Sequence, residues 1–119
     1  MRNHRFRFQQ FDIWKRAIAI GSDFHDIASD LESRGYRRYA EQLRAAALSI
    51  SNNIAEGSGS DSDKEFAHFL NIARRSAFET ANIMLFLHAK SVISTVICDQ
   101  HLQALEEECR MITAFRRTL

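Results

Sequence analysis

The sequence predicts an all-α protein, an antiparallel up-down-up-down four-helix bundle. The chain has 119 residues and no proline, the residue that most strongly interrupts a helix. Apolar residues recur at alternating spacings of three and four, as they do on a helix that buries one face. Short breaks separate four such stretches, and short connections join antiparallel neighbours. We therefore predict four helices, each about 30 Å long.

We divide the chain into a basic N-terminal arm, residues 1–11, and a single bundle domain, residues 12–119. Basic residues and phenylalanines alternate in the arm: Arg2, Arg5, Phe6, Arg7 and Phe8. Such an arm suits stacking on nucleic acid or packing of its phenylalanines on a neighbouring subunit, and we favour the second reading.

The first helix is predicted from about Asp12 to Leu31, with Asp12 as its N-cap. Its apolar seam is Ile13, Ala17, Ile20, Phe24, Ile27 and Leu31. The following turn, residues 32–35, is short enough to force an antiparallel return.

The second helix is predicted from about Tyr36 to Glu56. Its apolar stripe is Tyr36, Tyr39, Leu43, Ala46, Ile50 and Ile54, with further alanines beside it. Gly57 fits the position just past a helix end, where a left-handed conformation favours glycine.

The third helix is predicted from a capping box, Ser62 with Glu65, to about Lys90. It carries two offset apolar stripes, and a helix that is apolar on more than one face is buried on more than one face. A small bundle needs only one buried stripe per helix, so the excess predicts a homo-oligomer. The predicted interface residues are Phe69, Ile72, Ile83 and Phe86.

The fourth helix is predicted from about Asp99 to Arg117, after a break at residues 91–97. Its stripe is Leu102, Leu105, Cys109, Ile112 and Phe115 or Arg116. An acidic start and a basic end match the helix dipole.

Composition indicates a cytoplasmic protein with reduced thiols. No apolar run approaches the ~20 residues that span a bilayer, and the N-terminus lacks the apolar core of a signal peptide. The two cysteines, Cys98 and Cys109, lie too far apart on one helix for a disulfide. The formal net charge is only +1, so bulk charge gives no argument for nucleic acid.

Most of the basic residues are nevertheless arginines. Of the 16 basic residues, all but Lys15, Lys64 and Lys90 are arginines. In the predicted topology the basic residues cluster at both ends of the bundle. A ring of subunits would gather them into a phosphate-binding surface, although pairing with nearby acids is the simpler alternative. The predicted nucleic-acid-binding residues are Arg34, Arg37, Arg38, Arg44, Arg74, Arg75, Arg116 and Arg117.

Polar residues near the end of the second helix are expected to be structural. Pairing the first two helices about their turn places Asn53 opposite Trp14, and we expect Asn53 to bond the indole N–H or a backbone group. Glu56 is expected to tie the following loop to the amides that begin the third helix. Ser49 is expected to pack and to bond back to a helix carbonyl.

The sequence gives little reason to predict an enzyme, a cofactor or a metal. It has no HExxH or CxxC motif, and its Gly-Ser-Gly follows a helix rather than a strand. A site of His88, Asp99 and His101 across the third turn is conceivable, but surface histidines are the favoured reading. We interpret Cys109 as a small core residue in preference to a nucleophile.

Three segments resemble the signature of a bacterial family. The first segment is Gln42-Leu43-Arg44, followed by Ser49-Ile50 and then Asn53-Ile54-Ala55-Glu56-Gly57. Phe11, Trp14 and Ala17 match its first-helix pattern, and Glu65-Phe66, Phe69-Leu70, Ile72-Ala73, Ser76 and Glu79 match its third. The family comprises four-helix-bundle proteins encoded in intervening sequences of large-subunit ribosomal RNA genes. It includes the accessory variability determinant of diversity-generating retroelements.

The resemblance covers about residues 8–115 and implies a homopentameric ring with a basic surface. In the retroelement branch it also implies binding to nucleic acid and to a reverse transcriptase. Ala45 stands where the family commonly has a second basic residue, Arg75 where it has glycine, and Ser51 or Asn52 where it has proline. Our leading hypothesis is a non-enzymatic, oligomeric nucleic-acid-binding protein, and the alternative is a protein-protein adaptor.

Overall fold

The computed structural model describes residues 4–119 and confirms the all-α four-helix prediction. The helices are a short 3₁₀ helix Arg7–Gln10, then α1 Asp12–Ser33, α2 Arg37–Ser58, α3 Asp63–Ala89 and α4 Thr95–Arg116. No strand occurs within the described range. None of its helices is long and apolar enough to cross a membrane.

The helices follow one another around an antiparallel bundle 43 Å long. α1 packs on α2, α2 on α3 and α3 on α4, while α4 closes more sparsely on α1. One end holds the first and third turns, where Arg34 Nη2 donates a hydrogen bond of 3.0 Å to the Val92 carbonyl. At the other end Arg7 Nη2 donates a bond of 3.0 Å to the Ser58 carbonyl. We call these the turn end and the terminal end.

All four helices contribute large apolar side chains to the core, and α2 adds a row of small ones. The largest fully buried apolar side chains are Phe24, Phe66, Leu31, Leu43, Ile50, Ile54, Leu70, Met84, Leu87, Leu105 and Ile112. Ala40, Ala46 and Ala47 of α2 are also buried, and small residues let neighbouring helices approach closely.

Gly57 lies inside α2 and is buried, so its predicted place beyond the helix end is wrong. A Cβ atom on Gly57 would lie 2.6 Å from Cβ of Phe69 and 2.9 Å from the ring of Phe66. Glycine is therefore required for the close approach of α2 and α3 rather than for a left-handed turn. The helix continues to Ser58, and Gly59 follows as its C-cap.

The N-terminus of α1 also differs from the prediction. Phe11 occupies the capping position without a side-chain bond, and Asp12 is the first helical residue. The Asp12 carboxylate still favours the helix start, because it lies in the first turn near the positive end of the dipole.

Ser62 caps α3 as predicted, although the reciprocal bond from the Glu65 side chain is absent from the described residues, and the predicted start of α4 is wrong. Ser62 Oγ accepts a bond of 3.1 Å from the Glu65 amide. α4 begins at Thr95, and Ser94 Oγ accepts a bond of 3.2 Å from the Ile97 amide. Asp99 therefore lies beyond the first turn, and the predicted acidic start of α4 is wrong.

The described part of the arm folds back on its own bundle. The Phe8 ring packs edge-on against Trp14, with ring centroids 5.2 Å apart. The Arg7 guanidinium lies 5.3 Å above the Phe66 ring. Only Phe6 keeps a largely exposed ring, and Arg2 lies outside the described residues.

Candidate nucleic-acid interface

The turn end carries three arginines in five positions of the chain, held in two different ways. Arg34 is anchored, because it bonds the Val92 carbonyl and pairs with Asp30 at 3.2 Å. Arg37 is exposed and lies 3.9 Å from Glu41. Arg38 is exposed and has no ion pair within residues 4–119.

Other predicted arginines are used inside the bundle. Arg44 Nη2 donates a bond of 2.8 Å to the Glu32 carboxylate and so links α2 to α1. Arg116 Nε donates a bond of 3.0 Å to the Ala67 carbonyl. These side chains hold helices together, and their hydrogen bonds would have to break before they could bind phosphate fully.

Arg74 and Arg117 line a groove between α3 and α4, which we call the α3–α4 groove. It has a volume of about 990 Å³, and Arg110 and Cys109 also line it. The Arg74 guanidinium lies 4.9 Å above the exposed Phe78 ring. The buried Nε atom of Arg74 has no hydrogen-bond partner in the described chain. Arg75 is exposed on α3 and does not line this groove.

The polar motif of α2 bonds α3 rather than Trp14. Asn53 Nδ2 donates bonds of 2.8 and 2.9 Å to the carbonyl and hydroxyl of Ser49. The Ser49 and Ser76 hydroxyls lie 2.8 Å apart, and Ser76 Oγ donates to the Ile72 carbonyl. These bonds form a connected network of Asn53, Ser49 and Ser76, in which either hydroxyl of the Ser49–Ser76 pair can donate to the other. Of the two partners predicted for Asn53, the backbone group is the one observed, the Ser49 carbonyl, and the bond to Trp14 does not form. The predicted back-bond of Ser49 to a helix carbonyl is wrong.

Glu56 does not tie down the loop after α2. Its side chain is exposed, and no hydrogen bond or ion pair joins its carboxylate to another residue between His4 and Leu119. The loop is instead held by Arg7, which bonds the Ser58 carbonyl.

The four predicted interface residues lie on α3 with different degrees of exposure. Phe69 packs at Gly57, and Ile72 and Ile83 are partly buried. The Phe86 ring is exposed and lies 5.8 Å from the Tyr39 ring.

Glu108 of α4 is a buried ionisable residue whose burial was not predicted from the sequence. Its side chain is fully buried, and neither carboxyl oxygen has a hydrogen-bond partner within residues 4–119. Arg16 Nε lies 3.7 Å from its Oε1 atom. Burial raises the Glu108 pKa to about 8; Arg16 lowers this pKa, and Glu107 raises it further. Its spacing from Leu105 and Ile112 places Glu108 on the seam, and that signal was available in the sequence.

The histidines and cysteines have structural contacts. His88 Nε2 lies 3.0 Å from Thr95 Oγ1, and His101 Nδ1 donates a bond of 2.7 Å to the Ile97 carbonyl. Burial raises the pKa of the Cys98 and Cys109 thiols. No group of three His, Cys, Asp or Glu side chains within residues 4–119 is placed to hold a metal ion.

Comparison with known proteins gives one family. The sequence model of the family described as 23S rRNA-intervening sequence protein matches residues 9–114. No curated protein matches the chain.

Proposed function

Because this chain belongs to the 23S rRNA-intervening sequence protein family, we propose that it is a non-enzymatic homo-oligomer that binds nucleic acid through arginine-rich surfaces. A homopentamer is the assembly that the family resemblance implies. In this role it serves as an accessory factor of an intervening sequence or a retroelement, where a reverse transcriptase is a partner to test.

The observation that carries the proposal is the arginine cluster at the turn end. Arg37 and Arg38 are exposed, and Arg34 is anchored beside them on the Val92 carbonyl. Guanidinium groups suit phosphate because their planar fork of donors matches its oxygens. The surface contacts phosphates of the nucleic-acid backbone and needs no contact with the bases.

Assembly into a ring increases the number of phosphate contacts that this cluster can make. One copy offers few free positive charges, since Asp30 and Glu41 lie beside Arg34 and Arg37. Cyclic symmetry repeats the turn end once per subunit on the same side of the assembly. Phosphate contacts then add over subunits, and each contact releases counterions from the nucleic acid.

The test is binding of labelled structured RNA and of duplex DNA across a salt series. The affinity is expected to fall with a slope of about −0.7 to −0.9 in log K against log salt for each phosphate contacted. The double variant R37E/R38E is expected to lose at least about tenfold in affinity and to have a shallower slope. Arg34 is left intact because it holds the turns together.

The matched control is K15E/K64E, which changes the net charge by the same amount at exposed positions of α1 and α3. It is expected to bind almost as well as the wild type. Equal losses in both variants would overturn the turn end as the binding surface. No binding at low salt by a folded, assembled wild type would overturn nucleic-acid binding and favour the adaptor function.

A further inference from the structure

An exposed aromatic ring lies beside the arginine cluster of the turn end. Phe86 belongs to the last turn of α3, and 45% of its surface is exposed. Its ring centroid lies 5.8 Å from that of Tyr39 on α2, with the two rings inclined by 36°. Tyr39 is partly buried and so supports the Phe86 ring from one side, while much of the ring faces solvent.

Arg38 lies on the side of α2 that faces α3 and Phe86. It comes eleven residues before Ser49, which is within about 20° of three complete turns. The Ser49 hydroxyl lies 2.8 Å from that of Ser76 on α3, so this line of α2 borders α3. Arg38 also directly precedes Tyr39, which contacts Phe86. The exposed Arg38 is therefore a neighbour of the exposed ring.

A second basic side chain borders the ring on α3 itself. Lys90 follows Phe86 by four residues, and its amide donates a bond of 3.1 Å to the Phe86 carbonyl, so the two side chains lie on one side of the helix. Arg38 and Lys90 are exposed and form no ion pair within residues 4–119. On this side of α3 the nearest carboxylate, Glu79, lies about 10 Å along the helix axis from Phe86. The surroundings of the ring are thus positively charged.

The combination of a ring and two cations suits an unpaired nucleotide. Each base has a flat face that stacks on an aromatic side chain, and each nucleotide brings a phosphate that a basic side chain can bind. Inside a duplex the bases stack on one another, and their faces are closed to protein. A subunit contact at Phe86 would instead cover Arg38 and Lys90 and would need carboxylates to pair with them.

We propose that Phe86 stacks on an unpaired base of a bound nucleic acid, while Arg38 and Lys90 contact the phosphates beside that base. This inference rests on the proposed nucleic-acid binding and specifies its substrate class, which is single-stranded segments rather than uninterrupted duplex. It assigns Phe86 to the nucleic acid instead of to the subunit contact predicted from the sequence.

The test compares a labelled single strand of mixed sequence, without self-complementarity, with the duplex that it forms with its complement. Each probe is used as RNA and as DNA. The variant F86L keeps an apolar side chain beside Tyr39 and removes the flat ring. It is expected to bind the single strand at least about fivefold more weakly and the duplex as the wild type does. Its salt slope is expected to be unchanged, because no phosphate contact is lost.

F86W, which restores a flat ring, is expected to bind the single strand as tightly as the wild type. The matched control is F78L, the same change at a phenylalanine that is 58% exposed beside the α3–α4 groove. It is expected to bind both probes like the wild type. Because both positions are exposed, F86L and F78L are expected to keep the wild-type helical circular dichroism.

Four results would overturn the inference: no loss in F86L, an equal loss for single strand and duplex, an equal loss in F78L, or no recovery in F86W. Light scattering after size exclusion is expected to give the same oligomer for F86L and the wild type. An F86L protein that dissociates also overturns the inference, because Phe86 is then a subunit contact. A folded wild type that binds none of the probes at low salt is a different result, since it overturns the proposed function itself.

Discussion

Glu108 and Arg16 face each other across the α1–α4 contact without a hydrogen bond. Arg16 Nε lies 3.7 Å from Glu108 Oε1, while Arg16 Nη2 donates a bond of 2.7 Å to Glu107. Arg16 is thus engaged mainly at the surface, and the buried carboxyl has lost its water without full compensation. Burial consequently outweighs the attraction and raises the pKa of Glu108 to about 8.

This raised pKa predicts that the protein loses stability as the pH increases. The folded-state pKa of about 8 lies above the ordinary value of 4.5, so folding favours the protonated form. Protonated Glu108 contributes its full stabilisation below pH 4.5. This contribution is lost as the pH rises from 4.5 to about 8, and the free energy of unfolding falls by up to about 1.4 kcal/mol per pH unit. Urea unfolding at a fixed protein concentration across this range measures the slope.

The variant E108Q keeps the shape of the side chain and cannot ionise. Its free energy of unfolding is expected to vary less with pH than that of the wild type, and to exceed it near the alkaline end. E106Q, which removes an exposed carboxylate paired with Arg110 on the same helix, is expected to retain the slope. A wild-type stability that rises over this range would contradict the assignment.

Gly57→Ala is expected to destabilise the fold despite the higher helix propensity of alanine. The added Cβ would lie 2.6 Å from Cβ of Phe69, and overpacking costs ~1–3 kcal/mol against a propensity gain of up to ~1 kcal/mol. We expect a net loss of about 1–2 kcal/mol in the free energy of unfolding. Gly59→Ala meets only an ordinary contact of 3.5 Å and should change stability by less than ~0.5 kcal/mol; equal effects would disprove the steric reason.

Ser49→Ala and Ser76→Ala are expected to be non-additive. Each removes one partner of a partly buried hydrogen bond of 2.8 Å, at ~0.5–1.5 kcal/mol, and the remaining hydroxyl keeps only its bond within its own helix. The double variant leaves no hydroxyl of this pair behind, so its loss should be about 0.5–1.5 kcal/mol less than the sum. Strict additivity in the double-mutant cycle would show that the two hydroxyls are not coupled.

Ser94→Ala is expected to cost about 1 kcal/mol, because it removes the side-chain acceptor of the Ile97 amide at the start of α4. Ser62→Ala should behave alike at α3. Ser22→Ala, at an exposed position within α1, serves as the control and should cause no loss. The same urea titration measures all three, and an unaffected S94A would contradict the capping role.

The periodicity of apolar residues was sufficient to predict the architecture. Residues such as Ile13, Leu43 and Leu70 recur where the helical period requires them, and all are buried. Because each stripe must face a core and the breaks are short, the number and order of helices followed directly. The errors at the ends of α2 and α4 arose where two local signals competed. Gly57 resembles a terminator but packs on α3, and Asp99 resembles a start although Ser94 already provides one.

The hydrogen-bond partners of the polar side chains depend on how each helix is rotated about its own axis relative to its neighbours. An apolar stripe does not define that rotation closely enough. Asn53 was assigned to α1 because only that helix pair was aligned through its turn, whereas its bond to Ser49 links it to Ser76 on α3. Glu108 was overlooked because charged residues are expected outside. The assembly and the nucleic-acid surface remain predictions, since they concern contacts beyond one chain.

The hydrogen bond between Ser49 and Ser76 has a further effect on the alignment of α2 and α3. A slide of one helix by a full turn, about 5.4 Å, would move Gly57 away from Phe69, where glycine permits the close approach of the two helices. A slide would also break the hydrogen bond between the Ser49 and Ser76 hydroxyls, at ~0.5–1.5 kcal/mol, although the bonds from Asn53 to Ser49 and from Ser76 to Ile72 lie within single helices. The two helices are therefore locked at one height. The start of α2, with Arg37 and Arg38, is thereby held at a fixed level relative to α3.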